Sequence, residues 1–251
     1  MRLVRFAAGG RTAYGVLRDD TIEELSGDML GRREALQKTH ALSAVKLLAP
    51  CSPSKIVAIG LNYRDHAREM GFSIPENPVL FLKPPTALIG PDDEIIYPSM
   101  SKQVDYEAEL GIVIKSRAKD ISPDKVHDII LGYTCANDVT ARDLQKTDGQ
   151  WTRAKSFDTF CPAGPWIETE LDPDDVSVES YLNGVRRQSS RTSQFLFPVN
   201  DLVSFISRVM TLEPGDLIIT GTPAGIGPMQ PGDEIEVRIE GIGSLINRVA
   251  H

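Results

Sequence analysis

The chain has 251 residues, 41% hydrophobic and 25% charged, which fits a folded soluble protein of one large domain or a large domain with a small appendage. A net charge of −8 and a pI near 5.1 exclude a nucleic-acid footprint, and with aromatics at 6% there is no set of stacking residues for single strands. No apolar run has the length of a membrane span or of a signal-peptide core; Cys51, Cys135 and Cys161 fit no zinc spacing and suit a reducing compartment, so a cytoplasmic protein without membrane or nucleic-acid partners is expected.

RLVRFAA, RTAYGVL and TIEEL read as three short strands, turned at Gly9-Gly10 and Asp19-Asp20. A helical stretch is expected near Arg32 to Ala41, and the Pro- and Ser-rich APCSPSK (residues 49–55) reads as a linker, so residues 1–48 form a small β-rich arm and 53–251 the main domain. KIVAIG is an apolar strand, and NYRDHAREMG a short helix ending at Gly71. The proline-studded segment from Pro75 to Pro98 allows only short extended pieces. DISPDKVHDII has the Ser-Pro start of a helix, LGYTCAND is a strand and TARDLQ a helix. SVESYLNGVRRQSS is a hairpin turned at Asn183-Gly184, and PVNDLVSFISRVMTL is a helix whose stripe of Leu202, Phe205, Ile206, Val209 and Met210 faces the core. The tail alternates turns and strands, which makes the whole a β-rich α+β protein.

The stretch DYEAELGIVI carries the first chemical signal. Alternation on a strand puts Asp105, Glu107 and Glu109 on one face. Carboxylates roughly 7 Å apart repel by about 0.6 kcal/mol in water and about 2.4 kcal/mol at an effective dielectric of about 20. On an exposed edge this is a tolerable acidic face; in a cleft it calls for a cation. Asp138, at the end of the YTCAND strand, offers a further carboxylate, and Glu107, Glu109 and Asp138 make an all-oxygen set suited to Mg²⁺ or Mn²⁺; alone, Asp138 equally suits a helix N-cap. Arg142 and Gln145 share a helix face, and Lys155 follows; together they could balance a metal site and hold an anionic substrate, or Arg142 could simply pair with Asp138 four residues back. His66 and Glu69, at i and i+3, could form a general-base pair or be surface dressing. TGTPAGIG is neither a dinucleotide fingerprint nor a P-loop; it is a plain turn, or a loop whose backbone N–H groups and Thr222 could hold a carboxylate.

These stretches, with AIGLNYRDHAREMG, VLFLKPPTALIG, AKSFDTFCPAGPW, LNGVRRQ and LEPGDLIITGTPAGIGPMQPGDEIEV, run in order from the linker to the end of the chain. Together they resemble the fumarylacetoacetate hydrolase family, in its acylpyruvase and hydroxyheptadienedioate-isomerase branch. The resemblance implies a mixed β-roll with a small N-terminal β arm, a Mg²⁺ or Mn²⁺ site and a homodimer. It puts metal carboxylates at Glu107, Glu109 and Asp138, the catalytic lysine at Lys155, substrate contacts at Arg142, Gln145 and Thr222, and a water-activating pair at His66 and Glu69. Some members carry a fourth acidic ligand upstream of the histidine; here that region reads KIVAIGLNY, without an acid. The expected function is action on a 2-oxo acid through a metal-stabilised enolate, by C–C hydrolysis or decarboxylation. The alternatives are 2-hydroxyhepta-2,4-diene-1,7-dioate isomerisation, by proton transfer without C–C cleavage, and a non-catalytic protein with a structural Mg²⁺ or Ca²⁺.

Overall fold

A computed structural model describes residues 1–31, 34–70 and 73–251, with the backbone alone at Met70. Among these residues the strands form three sheets, the two larger ones mixed and the smallest antiparallel. The largest starts as an antiparallel meander, Ala35–Ala41, Thr21–Leu25, Arg11–Arg18 and Arg2–Ala8. It continues through Cys161–Glu168, Ile130–Asn137, Ala108–Ile114, Leu217–Ile219 and Ile56–Ile59 to Leu80–Lys83. The arm is therefore hydrogen-bonded into the main sheet, with Arg2 opposite Glu168 and Leu3 opposite Ile167. A three-stranded sheet joins Thr140–Ala141, Val104–Tyr106 and Gly227–Met229, and a five-stranded sheet is built around the Ser177–Leu182 and Val185–Arg191 hairpin.

Three expectations need correction. The stretch expected to be helical near Arg32 to Ala41 is a strand, Ala35–Ala41; Arg32 and Arg33 lie outside the described residues. Its Ala, Leu, Gln and Lys favour helix in isolation, but the open edge of Thr21–Leu25 supplies backbone partners at both ends of the stretch, across a bulge between Glu23 and Leu25. DISPDKVHDII forms a 3₁₀ helix, Pro123–Ile129. In the Val199–Val209 helix, Leu202 and Ile206 face the core as expected, but Val203 is buried and Val209 is 56% exposed, because the helix ends there and the chain turns away. The expected helix end at Gly71 falls outside the described residues; the helix spans Arg64–Met70. Asn183 and Gly184 both have positive φ, 52° and 75°, as the hairpin turn requires.

Both faces of the central sheet are covered. Ala108, Leu110, Ile112 and Ile114 pack with the Val199–Val209 helix and the five-stranded sheet, whereas Val113, Ala136 and Ala163 pack with Leu3 and Val16 of the arm. The segment expected to be a linker is strapped down: buried Asp216 accepts hydrogen bonds from Ser54 N, 3.0 Å, and Lys55 N, 3.2 Å, and pairs with the Lys55 ammonium. All three cysteines are buried and unpaired, and burial pushes the thiols of Cys51 and Cys161 up to about 12. No helix among the described residues is long and apolar enough to cross a membrane.

Candidate active site

The DYEAELGIVI segment is two strands, not one. Val104–Tyr106 belongs to the three-stranded sheet and Ala108–Ile114 to the largest, with Glu107 alone between them. Glu107 N donates to Asn137 Oδ1, 2.9 Å, and Asp138 N donates back to Glu107 O, 2.9 Å. That pair of bonds brings the end of the Ile130–Asn137 strand beside the break. Carboxylate oxygens of Glu107, Glu109 and Asp138 then lie within 4.8 Å of one another, and all three residues are buried.

Asp105 takes a different partner. Arg142 Nε donates to Asp105 Oδ2 at 2.8 Å, its Nη2 donates to Glu107 and its Nη1 to Gln145 Oε1 at 2.5 Å, so one N–H is left on each Nη. Both simpler readings of this segment are thus set aside: Arg142 does not pair with Asp138, and the Arg142–Asp148 helix is preceded by Ala141, not capped by Asp138. Lys155 ends the short Thr152–Lys155 helix and donates to Glu107 Oε2, 2.8 Å, and Asp138 Oδ2, 2.5 Å, with its ammonium 5.0 Å from the Phe81 ring centroid.

Lys83 is one residue whose role sequence reasoning missed. Its side chain is wholly buried and donates to Asp138 Oδ1 at 2.5 Å and to Val139 O at 3.2 Å. The available signal was position: a lysine closing the apolar strand Leu80–Lys83 just before Pro84-Pro85, where an exposed cation has no place in the pattern.

The charges do not cancel. Asp105, Glu107, Glu109 and Asp138 face Lys83, Arg142 and Lys155, four carboxylates against three cations. Burial works against the ionised form of Glu107, but Lys155 and Arg142 outweigh it and hold the carboxyl far below its usual range. Burial also opposes the charge of Lys155, and Asp138 and Glu107 overcome it to keep the ammonium protonated. Glu109 has no such help. Burial, then the charges of Asp138 and Glu107, push its carboxyl well above the usual range. A divalent cation fits this set: the donors are all oxygen, they converge, and one of them lacks a counter-charge.

His66 and Glu69 sit on the Arg64–Met70 helix, where His66 Nδ1 and Glu69 Oε2 are 2.9 Å apart. The helix start is anchored by Tyr63, buried and edge-on to Phe195 with centroids 4.9 Å apart. His66 is buried and lines a cavity of about 140 Å³ together with Gly60, Glu107, Arg142, Gln145, Lys146, Trp151 and Lys155. At Gly60 the Trp151 ring lies directly against the backbone, and a Cβ there would displace it.

The TGTPAGIG loop holds carboxylates, but they are the protein's own. Gly221 N donates to Glu109 Oε2, 2.7 Å, and Gly225 N to Glu69 Oε1, 3.0 Å. Gly221 has φ +94°, a conformation that L side chains rarely adopt. The Thr222 hydroxyl donates to Ala108 O, 2.9 Å, and accepts from Gln188 Nε2, 2.7 Å; it is buried and lies outside the cavity lining. Gln188 Oε1 also accepts from Ala108 N, 3.0 Å, so this buried glutamine, the last residue of the LNGVRRQ stretch and one given no role from sequence, fixes the start of the acid-bearing strand.

The C-terminal fumarylacetoacetate (FAA) hydrolase family model matches residues 55–250, and the Rv2993c-like N-terminal model matches residues 1–50. The chain is 46% identical to 5-carboxymethyl-2-hydroxymuconate delta-isomerase from Mycobacterium smegmatis, with a TM-score of 0.95 to its crystal structure over 100% of this chain and 99% of that one. It is 39% identical over 259 residues to mitochondrial oxaloacetate tautomerase Fahd2a of Rattus norvegicus, covering 98% of this chain and 79% of the relative. With maleylpyruvate hydrolase from Sphingobium sp. SYK-6, solved with manganese(II) and pyruvate, identity is 31% and the TM-score 0.83, over 100% of this chain and 99% of that one.

Proposed function

The chain belongs to the fumarylacetoacetate hydrolase family, and we propose from that premise that it is a Mg²⁺- or Mn²⁺-dependent enzyme that forms the enolate of a 2-oxo acid and moves a proton on it. The observation that carries this reading is the buried triad Glu107, Glu109 and Asp138, two of whose acids are bonded to Lys155 and one of which, Glu107, lines a cavity with Lys155 and with His66, itself paired with Glu69. Bound by the triad, the divalent ion would neutralise the acids and polarise the carbonyl of a 2-oxo acid.

The protein's own groups supply the rest. His66 Nδ1 is engaged by Glu69, which leaves Nε2 as the ring nitrogen for proton transfer and fixes the ring's orientation. The proton leaves the carbon next to the 2-oxo group for His66, and the C–H electron pair moves into the C–C bond as the carbonyl pair moves onto oxygen. Lys155 sits where that oxygen gains negative charge. Return of the proton to oxygen gives tautomerisation, and to a more distant carbon of a conjugated chain gives double-bond isomerisation. Arg142 and Gln145 keep donors free for the substrate carboxylate. Proton transfer is preferred because the relatives 39% and 46% identical carry the names tautomerase and isomerase.

Hydrolysis is the second reading, favoured by the His66–Glu69 pair itself, which can equally draw a proton from water, and by the hydrolase relative. Water would then attack the distal carbonyl of an acylpyruvate, and the cleaved C–C pair would become the same enolate.

The experiment compares wild type with His66→Ala on oxaloacetate and an acylpyruvate, with Mg²⁺, with Mn²⁺ and after chelation. Turnover should vanish on chelation while the circular dichroism of the fold persists, and return with either metal. His66→Ala should lower tautomerisation about a hundred- to ten-thousandfold and leave any decarboxylation of oxaloacetate far less affected. Full activity in metal-stripped protein would overturn the reading. A loss confined to acylpyruvate cleavage would instead select hydrolysis.

A further inference from the structure

The cations of the site fall into two kinds. Lys83, Lys155 and Arg142 are buried, and each is already committed to a carboxylate. Lys146 is not. It lies on the Arg142–Asp148 helix, lines the same cavity as His66, Trp151 and Lys155, and is exposed. Among the described residues it makes no hydrogen bond and no ion pair, although acids are plentiful in a chain of net charge −8.

Its neighbour adds to the asymmetry. Gln145 Oε1 accepts from Arg142, which leaves the amide NH₂ as the donor end of that side chain. Gln145 and Lys146 together therefore present donors to the cavity, the one side-chain acceptor between them being committed to Arg142. Trp151 and Leu61 give the same cavity apolar wall, able to pack against a hydrocarbon stem. A 2-oxo acid whose carbonyl lies at the triad and whose carboxylate takes the free donors of Arg142 and Gln145 must direct its other end elsewhere in this small space, and the one uncommitted charge lining it is positive.

We propose that Lys146 reads a second carboxylate, at the far end of the substrate, and so selects 2-oxo dicarboxylates over 2-oxo acids with neutral tails. This assignment rests on the reaction proposed above. Lysine chemistry suits such a contact, because a compact charge on a flexible stem can follow a carboxylate whose distance from the metal end varies with tail length, which the rigid fork of an arginine does less well. Its exposure places it at the solvent side of the cavity, where it also raises the rate of encounter with a dianion.

The test measures kcat/KM with Mg²⁺ for oxaloacetate, which carries a second carboxylate, and for acetylpyruvate, which ends in a methyl ketone. Wild type, Lys146→Met, Lys146→Glu and Lys146→Arg are compared. The ratio of the two kcat/KM values should fall about tenfold in Lys146→Met, a step of about 1.4 kcal/mol, mainly through KM for oxaloacetate. Lys146→Glu should lower it further, Lys146→Arg should restore most of it, and the wild-type preference should shrink as salt is raised. A ratio within twofold of wild type in both Lys146→Met and Lys146→Glu overturns the role of Lys146 and leaves the reaction intact. Wild-type protein that turns over neither acid removes the reaction, and this assignment with it.

Discussion

Two buried glutamates are treated in opposite ways. Glu24, on Thr21–Leu25 of the N-terminal meander, is met by Arg11 at 2.5 Å, Lys38 at 3.2 Å and His40 at 2.7 Å. Burial works against its charge, but hydrogen bonds from Arg11, His40 and Lys38 bring the carboxyl down to about 2. Glu109, on the central strand, meets no side-chain cation at ion-pair distance among the described residues; it accepts one backbone N–H and faces two other carboxylates. The arm resolves its charge within the protein. The site leaves charge unresolved, and a cluster that is costly when alone is the physical mark of a place where something binds.

Breaking the site should show in chemistry. Lys155→Met removes the cation that we propose stabilises the reacting oxygen, and kcat should fall about a hundredfold or more. The loss should exceed that of any single change in the arm, and a Lys155→Met protein with wild-type kcat would erase the distinction between the two regions. Glu109→Gln comes next. Divalent-metal affinity, read by calorimetry or by Mn²⁺ spin resonance, should weaken about ten- to a hundredfold. The metal-free protein should unfold at the same temperature or higher, since no cation is left unpaired by the change. A lower melting temperature without metal would mean that Glu109 is already satisfied.

The smallest effect belongs to the arm. Glu24→Gln should leave kcat unchanged and cost about 1 kcal/mol, because two of its partners, Arg11 and Lys38, are half exposed, which is about 2–4 °C in Tm for a chain of this size. The sign with pH follows from a folded pKa of about 2 against an ordinary 4.5. The Glu24 contribution is fully present above about pH 4.5 and is lost as pH falls toward about 2. Unfolding curves of wild type and variant should therefore be furthest apart near neutral pH and converge in acid. A gap that widened in acid would show that Glu24 is not held ionised by its neighbours.

What could be read from the sequence tracks how local its cause is. The acids announced themselves because alternation along a few residues is a local pattern, and the Asn183-Gly184 turn did so for the same reason. Residues 35–41 were misread because their own preferences favour helix and only the neighbouring strand overrides them. The roles of Lys83 and Gln188 were hidden for a related reason: each acts through long-range contacts, Lys83 to Asp138 and Gln188 to Ala108 and Thr222, with no spacing to betray them. The partition of the acids was also hidden. Asp105 and Glu109 have the same alternation relative to Glu107, and only the break in the strand sends one to Arg142 and the other to the triad. The loop Thr220 to Gly227 was legible as a holder of carboxylates, but which carboxylates it holds depends on the tertiary approach of Glu109 and Glu69.

The break at Glu107 bears on how such a scaffold can diversify. One residue joins two sheets, and its side chain and its backbone both take part in the site. An insertion or deletion there would turn Ala108–Ile114 over, exchanging the face that carries Glu109 for the face that packs on the Val199–Val209 helix. The length of chain through this joint is therefore locked. The helix that carries Gln145 and Lys146 has no such lock, since its outer side chains bear on neither sheet's register. With the tail read there as we propose, new substrate tails can be accommodated one side chain at a time, while the acid-bearing joint stays as it is.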